Sequence, residues 1–565
     1  MLEPQISPPC KVVETIEPVS VREVKPGVAV YDLGVNIAGW AQLHVSGAAG
    51  TEVTLRYAEC LADDGDIDQG NISTFIKTGD CQTDRYILKG EGKEVWEPRF
   101  TYHGFQYVRV TGLPGTPALG NIKGRVVQTA FDQVGKFECS DDMVNRLQTS
   151  TVWAYRGNFV GIPTDCPHRE KNGWTGDAQL ATETGLFNFD AGAAYRQWLE
   201  TMVDTQRPSG QLPGIVPSVG WGYNWGSGPA WDSALLLIPW YIYLFTGDRT
   251  AIEQHYESMK RYVDFCSGMA TDHIVSFGLG DWCHVDRERM APAALTSTGY
   301  YYCDVQLLAT FAALTGRDAD RDSYTALGES IRRAFNERFY RGNGTYAGGE
   351  QTALACAIYQ GLVEEGEQSA VVGRLAEAVK ANDCRPDFGI LGAKYVPRVL
   401  AENGHADLAY RLITQPAFPG WVHWLEQGAT TLWESWGGGG SHNHIMFGDI
   451  SAWMYQYLAG IAPDPANPGF KHTIIQPQVV DGLDWVRASH RSPYGPVSSA
   501  WKRTEKGLEV DVELPPGTTA RVLLPVNSLD QATESGRPVA DAYEVVPNEP
   551  AIECESGEYH FVVGV

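Results

Sequence analysis

The chain has 565 residues, 43% of them hydrophobic, enough to bury large cores, and its length implies roughly two to four domains. Its formal net charge of −25, with no basic block that could neutralise phosphates, excludes a nucleic-acid partner and serves solubility instead. Eleven cysteines, scattered singly from Cys10 to Cys554 without a C-x-x-C pair, fit free thiols in a reducing compartment better than a disulfide framework.

In chain order, the first residues carry neither the basic nor the apolar segment of a secretory leader. No apolar run reaches the ~18 residues of a membrane span, so a cytoplasmic protein without membrane contact is expected. Residues 20 to 130 alternate apolar and polar in short runs, as in Val28-Ala29-Val30-Tyr31 and Thr51-Glu52-Val53-Thr54-Leu55, separated by glycine-rich turns. This predicts a β-sandwich over 1–135, jelly-roll-like in character. From Ser140 the period becomes helical: Met143, Leu147, Thr151 and Tyr155 share a face, with Ser140 or Asp141 as N-cap.

Between that helix and the next lies Asp165-Cys166-Pro167-His168-Arg169-Glu170-Lys171-Asn172-Gly173-Trp174-Thr175-Gly176-Asp177, three carboxylates in thirteen residues. Cys166 and Trp174 mark a packed loop, and packed neighbouring carboxylates have shifted pKa values. A carboxyl group that keeps its proton near neutral pH is what cleavage of a glycosidic bond asks of a general acid, so the loop points to sugar chemistry and needs a second acid from elsewhere.

Helical segments recur at 190–206, 231–246, 248–268, 298–315, 319–339, 349–362, 369–382 and 443–460, within a domain expected over 136–463. Twelve or thirteen such segments suit a double ring of six hairpins. Among them, the loop from Val219 to Asp232 gathers Trp221, Tyr223, Trp225 and Trp231 without helical period, and serves either as a sugar platform or as a loop anchor. Gly280-Asp281-Trp282 is a shorter case of the same kind. Near the end of the helical zone, Glu434 sits between Trp433 and Trp436, ahead of four glycines and Ser441-His442-Asn443-His444. It is the candidate second acid; the alternative is a core Glu bonded to a backbone amide or an Arg. After Pro463 the alternation returns, as in Leu508-Glu509-Val510-Asp511-Val512, predicting a smaller sandwich over 464–565.

Closing a toroid brings the two ends of its sequence together. Both acidic loops precede a predicted helix, at Asp177 and near His442, so both should open onto one face and line one pocket with Glu170, Glu434 and the aromatic loops between them.

The runs DCPHREKNGWTGDA, ATTLWESW with SHNHIMFG after it, GDW at 280–282 and PAWDSA at 229–234 resemble bacterial α-L-rhamnosidases of glycoside hydrolase family 78, over nearly the whole chain from VYDLGVNIAGW at 30–40 onward. The resemblance implies an (α/α)6 barrel as catalytic domain and hydrolysis with inversion. It makes Glu170 the general acid and Glu434 the general base. It has Asp165 and Asp177 bind rhamnose hydroxyls and, as nearby negative charges, keep Glu170 protonated; Arg169, Trp174, Trp282, Trp433 and His444 would line the subsite. Trp225 and Asp232, from the aromatic loop, complete the substrate-binding candidates. For His444 a role as a core histidine remains an equal alternative.

Many family members carry a further β-domain before the first sandwich, whereas this chain begins almost at that sandwich, which leaves the choice of leaving group open. The expected substrates are α-L-rhamnosides, either flavonoid glycosides or rhamnose-containing oligosaccharides. No H-E-x-x-H or EF-hand spacing occurs and inverting hydrolysis needs no cofactor, so neither metal nor cofactor is expected. The acidic surface and exposed sandwich edges permit a monomer or a homodimer. Other inverting glycosidases on the same barrel, or a non-catalytic carbohydrate-binding protein, are the competing readings. An inverting pair places its carboxyls about 6.5 to 9.5 Å apart.

Overall fold

The computed structural model describes residues 4–72, 76, 80–218, 220, 222–547 and 549–564; Val219 and Trp221 of the aromatic loop lie outside the described residues. The first sandwich is organised by one long strand, Val28–Ser46, whose register shifts between Asp32 and Ile37. Its first half pairs with Ser20–Lys25 and His103–Thr111, its second with Ile122–Thr129 and Lys93–Trp96. These strands all belong to one eight-stranded sheet. Alternation does the rest: in Glu52–Ala58 the side chains of Val53, Leu55 and Tyr57 turn inward onto Tyr31, Leu43, Phe105 and Val108. Each such buried side chain stabilises the layer by about 1.5–3 kcal/mol.

The helical zone is an (α/α)6 barrel. Asp141 caps the first helix, Asp142–Gly157, its carboxylate accepting from the Met143 and Val144 amides. Leu147, Thr151 and Tyr155 are buried as the period predicts, with Val144 in the place expected of Met143, which is only partly covered. Helices then alternate in character. Asp142–Gly157, Gly192–Thr205, Thr250–Met269, Asp318–Phe339, Gln368–Ala381 and Ala406–Thr414 are amphipathic and form the outer ring. The helices between them are largely buried on every side, as in ALLLIPWYIYLFT of Ala234–Thr246, and a helix apolar all round belongs inside. These inner helices, 175–188, 234–246, 293–314, 351–359, 390–402 and 450–458, pack each on the next, and the last returns to the first.

Closure of the inner ring is reinforced by charge. Lys394 and Arg398, on Ile390–Glu402, bridge Glu183 from the first inner helix and Asp449 at the start of the last, with contacts of 2.7 to 3.1 Å. Burial pushes the Glu183 carboxyl up, but Arg398 and Lys394 outweigh it and hold it at about 2.

Two differences from the sequence reading matter. The helix expected over 443–460 begins only at Ile450, because the His444 amide bonds Leu432 O and Asn443 is tied to Asn158, which holds 443–449 as loop. The strand Gly135–Cys139, ahead of the barrel, pairs with Trp485–Ser492 and so belongs to the C-terminal sandwich, a long-range pairing that a contiguous division at 135/136 does not convey. That sandwich consists of a seven-stranded and a five-stranded sheet. Among the described residues no helix is long and apolar enough to cross a membrane.

Candidate active site

The loops that precede the inner helices open at one end of the ring, and four of them meet around a cavity of about 120 Å³. Its polar side is formed by Asp165, Glu170, Asp177, Glu434 and His444, its apolar side by Trp174, Trp225, Trp231, Trp282, Leu279 and Met446. The first acidic loop is closed on itself: the Asn172 amide donates to Asp165 Oδ1 at 2.8 Å, and the Asp165 amide donates to Asn172 O at 3.0 Å. Trp174 Nε1 donates to Glu170 Oε2 at 3.0 Å, which aims that carboxyl from the fourth residue after it. Gly176 is required here, since a Cβ would overlap the indole of Trp231.

The second loop presents Glu434 in the same way. Its amide donates to Ser441 O at 2.9 Å and the Ser441 amide returns to Glu434 Oε2 at 2.7 Å. Gly440 has φ +82°, and a Cβ there would collide with the Glu434 carboxylate, so glycine satisfies both conformation and space. Arg169 Nη2 reaches both Glu434 oxygens, at 2.6 and 2.5 Å, and lies 3.7 Å from Glu170 Oε1. Glu434 thus has the backbone amide and the Arg of the purely structural alternative, yet its side chain keeps 19% of its surface open toward the cavity, and Glu170 keeps 13%. Arg169 thus sits between the two carboxylates, bonded to Glu434 and close to Glu170.

Electrostatics correct one expectation. Burial, reinforced by the charges of Glu170 and Asp177, pushes Asp165 well above the usual carboxylate range. Asp177 is raised well above it too, first by burial and then by Glu170 and Glu434. The two aspartates are therefore not fixed negative charges beside Glu170, because a low-dielectric wall disfavours their ionised forms. Burial also lowers His444 to about 3, so its imidazole is neutral. Its Nδ1 and Asp177 Oδ1 lie 3.4 Å apart, and among the described residues neither atom has a hydrogen-bond partner.

Of the remaining candidates, Trp174, Trp225 and Trp282 line the cavity in edge-to-face contact, with ring centroids 5.5 and 6.0 Å apart. Asp232 does not. It is fully buried behind the aromatic loop, where it accepts from the Gly228 amide at 2.7 Å and Ser227 Oγ at 2.9 Å, which makes it the loop's anchor. Trp433 also turns away: it stacks on His442, centroids 4.1 Å apart, and faces a separate crevice against the N-terminal sandwich. Trp231 lines the cavity as the aromatic loop allowed; Leu279 and Met446 were not singled out from sequence, though each lies in or beside a motif that was.

Comparison with known proteins gives these loops a family. Residues 132–458 match the bacterial alpha-L-rhamnosidase 6 hairpin glycosidase domain, residues 22–128 the bacterial alpha-L-rhamnosidase concanavalin-like domain, and residues 460–537 the bacterial alpha-L-rhamnosidase C-terminal domain. An alpha-L-rhamnosidase of Streptomyces avermitilis is 35% identical, over 99% of this chain and 54% of that protein, and one of Formosa agariphila 33%, over 89% and 56%. Among solved structures, the alpha-L-rhamnosidase from Dictyoglumus thermophilum superposes with a TM-score of 0.94 at 36% identity, covering 99% of this chain and 64% of that one. The Streptomyces avermitilis alpha-L-rhamnosidase complexed with L-rhamnose gives 0.92 at 33%, covering 99% and 54%. The chain spans little more than half the length of the curated relatives it matches. With a family match across the whole barrel and on both sandwiches, the chain belongs to the bacterial alpha-L-rhamnosidases.

Proposed function

We propose that this chain hydrolyses terminal α-L-rhamnosides with inversion, Glu170 acting as general acid and Glu434 as general base. The observation that carries this reading is the convergence of the two glutamates, from opposite ends of the barrel sequence, on one small cavity with Arg169 between them. Glu170, held by Trp174 Nε1, delivers its proton to the glycosidic oxygen as the C–O bond breaks. Glu434 takes a proton from the water whose oxygen bonds the anomeric carbon on the opposite face.

The unpartnered Asp177 Oδ1 and His444 Nδ1 would be satisfied by sugar hydroxyls, and the four lining indoles offer flat faces to sugar C–H groups. A cavity of about 120 Å³ is on the scale of one sugar ring, which suits release of a terminal residue. L-rhamnose bound to the related Streptomyces avermitilis protein supports the choice of sugar. Both flavonoid glycosides and rhamnose-containing oligosaccharides meet this description. All eleven cysteines are free, which supports a reducing, cytoplasmic location.

The test is turnover of p-nitrophenyl α-L-rhamnopyranoside by wild type and Glu170→Ala, beside the α-L-arabinofuranoside, α-L-fucoside and β-D-glucoside, with the first anomer followed by NMR. β-L-rhamnose appearing first, and only with wild type, is the expected result. Release of α-L-rhamnose first would reject inversion, and equal turnover of the other glycosides would reject the sugar.

A further inference from the structure

Glu59 lies outside the barrel, directly after the strand Glu52–Ala58 of the N-terminal sandwich, yet its carboxyl is fully buried against the Glu434 loop. Oε1 accepts from Ser441 Oγ at 3.0 Å and from Asn36 Nδ2 at 3.3 Å. Oε2 accepts from the His442 amide at 2.8 Å and from Asn71 Nδ2 at 3.1 Å, and lies 3.3 Å from Nε2 of His168, the residue before Arg169. These contacts fall on the groups that hold Glu434. Ser441 is its backbone partner in both directions. Asn71 Nδ2 also donates to Gly440 O at 3.1 Å, and Asn71 O accepts from Arg169 Nη1 at 3.2 Å.

The core of the sandwich is built from apolar side chains such as Leu55, Tyr57 and Phe105, which do not involve this carboxyl. Burying it is unfavourable unless donors are gathered around it. The donors that gather come from three stretches of chain, and two of them, Ser441 Oγ and the His442 amide, belong to the loop that carries Glu434.

We propose that Glu59 is a positioning residue for the general base: it fixes the Ser441–His442 turn, and through it the direction in which Glu434 faces the cavity. This rests on the reading of Glu434 as base. It makes the N-terminal sandwich part of the catalytic site. A role confined to joining two domains would change stability without changing the orientation of Glu434.

Three variants of the full chain, Glu59→Gln, Glu59→Asp and Ser441→Ala, separate these roles when kcat, KM, thermal midpoint and amide hydrogen exchange over 431–444 are measured together. For Glu59→Gln the expected result is a kcat lower by about 10- to 100-fold, the cost of a small misplacement of a reacting group. KM should stay within about twofold, because Asp177 and the lining indoles sit on other loops and His444, on this one, is held separately by its amide bond to Leu432 O. Exchange at Glu434 and Ser441 should quicken, and Glu59→Asp, which keeps the carboxyl but withdraws it by one methylene, should fall between.

A folded Glu59→Gln with wild-type kcat, or with raised KM alone, would overturn the proposal. Should that variant not fold, Ser441→Ala decides: it removes the hydroxyl's bond to Glu59, together with those to Asn443, while keeping the backbone bonds to Glu434, and is expected to lower kcat, whereas unchanged kcat counts against the proposal. Should wild type turn over no rhamnoside, the proposed function fails separately and hydrogen exchange decides alone; a loop equally protected in Glu59→Gln would then overturn the positioning role.

Discussion

One nitrogen of Arg169, Nη2, lies 2.6 and 2.5 Å from the two carboxylate oxygens of Glu434. The same nitrogen is 3.7 Å from Glu170 Oε1, so the proposed base and the proposed acid share one cationic neighbour with only 7% of its side chain exposed. A lysine would keep the charge but lose the planar fork and its second contact, to Asn71 O. Arg169→Lys is expected to lower kcat by about 100-fold with a smaller effect on KM, because it displaces a reacting group and leaves the sugar ligands in place. Steady-state kinetics on p-nitrophenyl α-L-rhamnopyranoside checks this, and a wild-type kcat would show the clamp to be dispensable.

The two glutamates should separate by leaving group. Without a proton donor, a natural rhamnoside with an alcohol leaving group loses the general-acid contribution of about 10²–10⁴-fold, whereas an aryl rhamnoside with an acidic phenol needs little protonation. Glu170→Gln should therefore retain much more activity on 2,4-dinitrophenyl than on alkyl rhamnosides. Glu434→Gln should impair both to a similar degree, because water attack is common to them. Equal losses on both substrates in Glu170→Gln would remove it from the acid role.

The legible parts of the molecule were those where a local pattern has a local cause. Alternation in Glu52–Ala58 and the Asp141 cap follow from neighbours within a few residues, and the crowding of Asp165, Glu170 and Asp177 is visible in the sequence itself. Trp433 and Asp232 were misplaced because a motif names a loop but not the face on which each side chain leaves it. Glu434 and Ser441 bond across a glycine turn, and that geometry sends Trp433 toward His442 and away from the cavity. Glu59 carried no signal at all: its partners in the Glu434 loop lie 382 and 383 positions away, and nothing around it marks it as other than a polar residue at a strand end.

Asp232 gives a direct test of the loop-anchor assignment. Its carboxyl accepts from Ser227 and Gly228 and is raised well above the usual range, chiefly by burial. Asp232→Ala should leave the buried Gly228 amide unsatisfied, while Ser227 Oγ keeps Leu212 O, and cost about 1–3 kcal/mol of stability. KM for the rhamnoside should stay near the wild-type value. A large rise in KM at unchanged thermal midpoint would instead restore it to the sugar site.

The buried ion cluster that closes the ring should be sensitive to losing one member. Lys394→Met leaves Glu183 and Asp449 with Arg398 alone and is expected to cost about 3–5 kcal/mol, read from the denaturation midpoint. In wild type, Glu183 is held at about 2, below its unfolded value. Its contribution is thus fully present above pH ~4.5 and is lost as pH falls toward 2. The difference between wild type and Lys394→Met should therefore shrink in acid.

Glu59 should behave with the opposite sign. Burial pushes its carboxyl to about 7, against the pull of the His442 amide, Asn36 and Ser441, and the charge of Glu434 adds to the rise. The imidazoles that face it, His168 and His442, are both lowered by burial and supply no balancing positive charge. A carboxyl raised on folding favours the folded state fully below its unfolded value near 4.5, and that advantage is lost as pH climbs through 7. The change amounts to about 3 kcal/mol between pH ~4.5 and ~8. Glu59→Gln cannot titrate, so its stability relative to wild type should improve by about that amount from pH 5 to pH 8, measured as paired urea midpoints in the same buffers. A gap that stays constant over this range would mean that the four donors keep Glu59 ionised throughout, in which case the Ser441–His442 turn is held equally at every working pH.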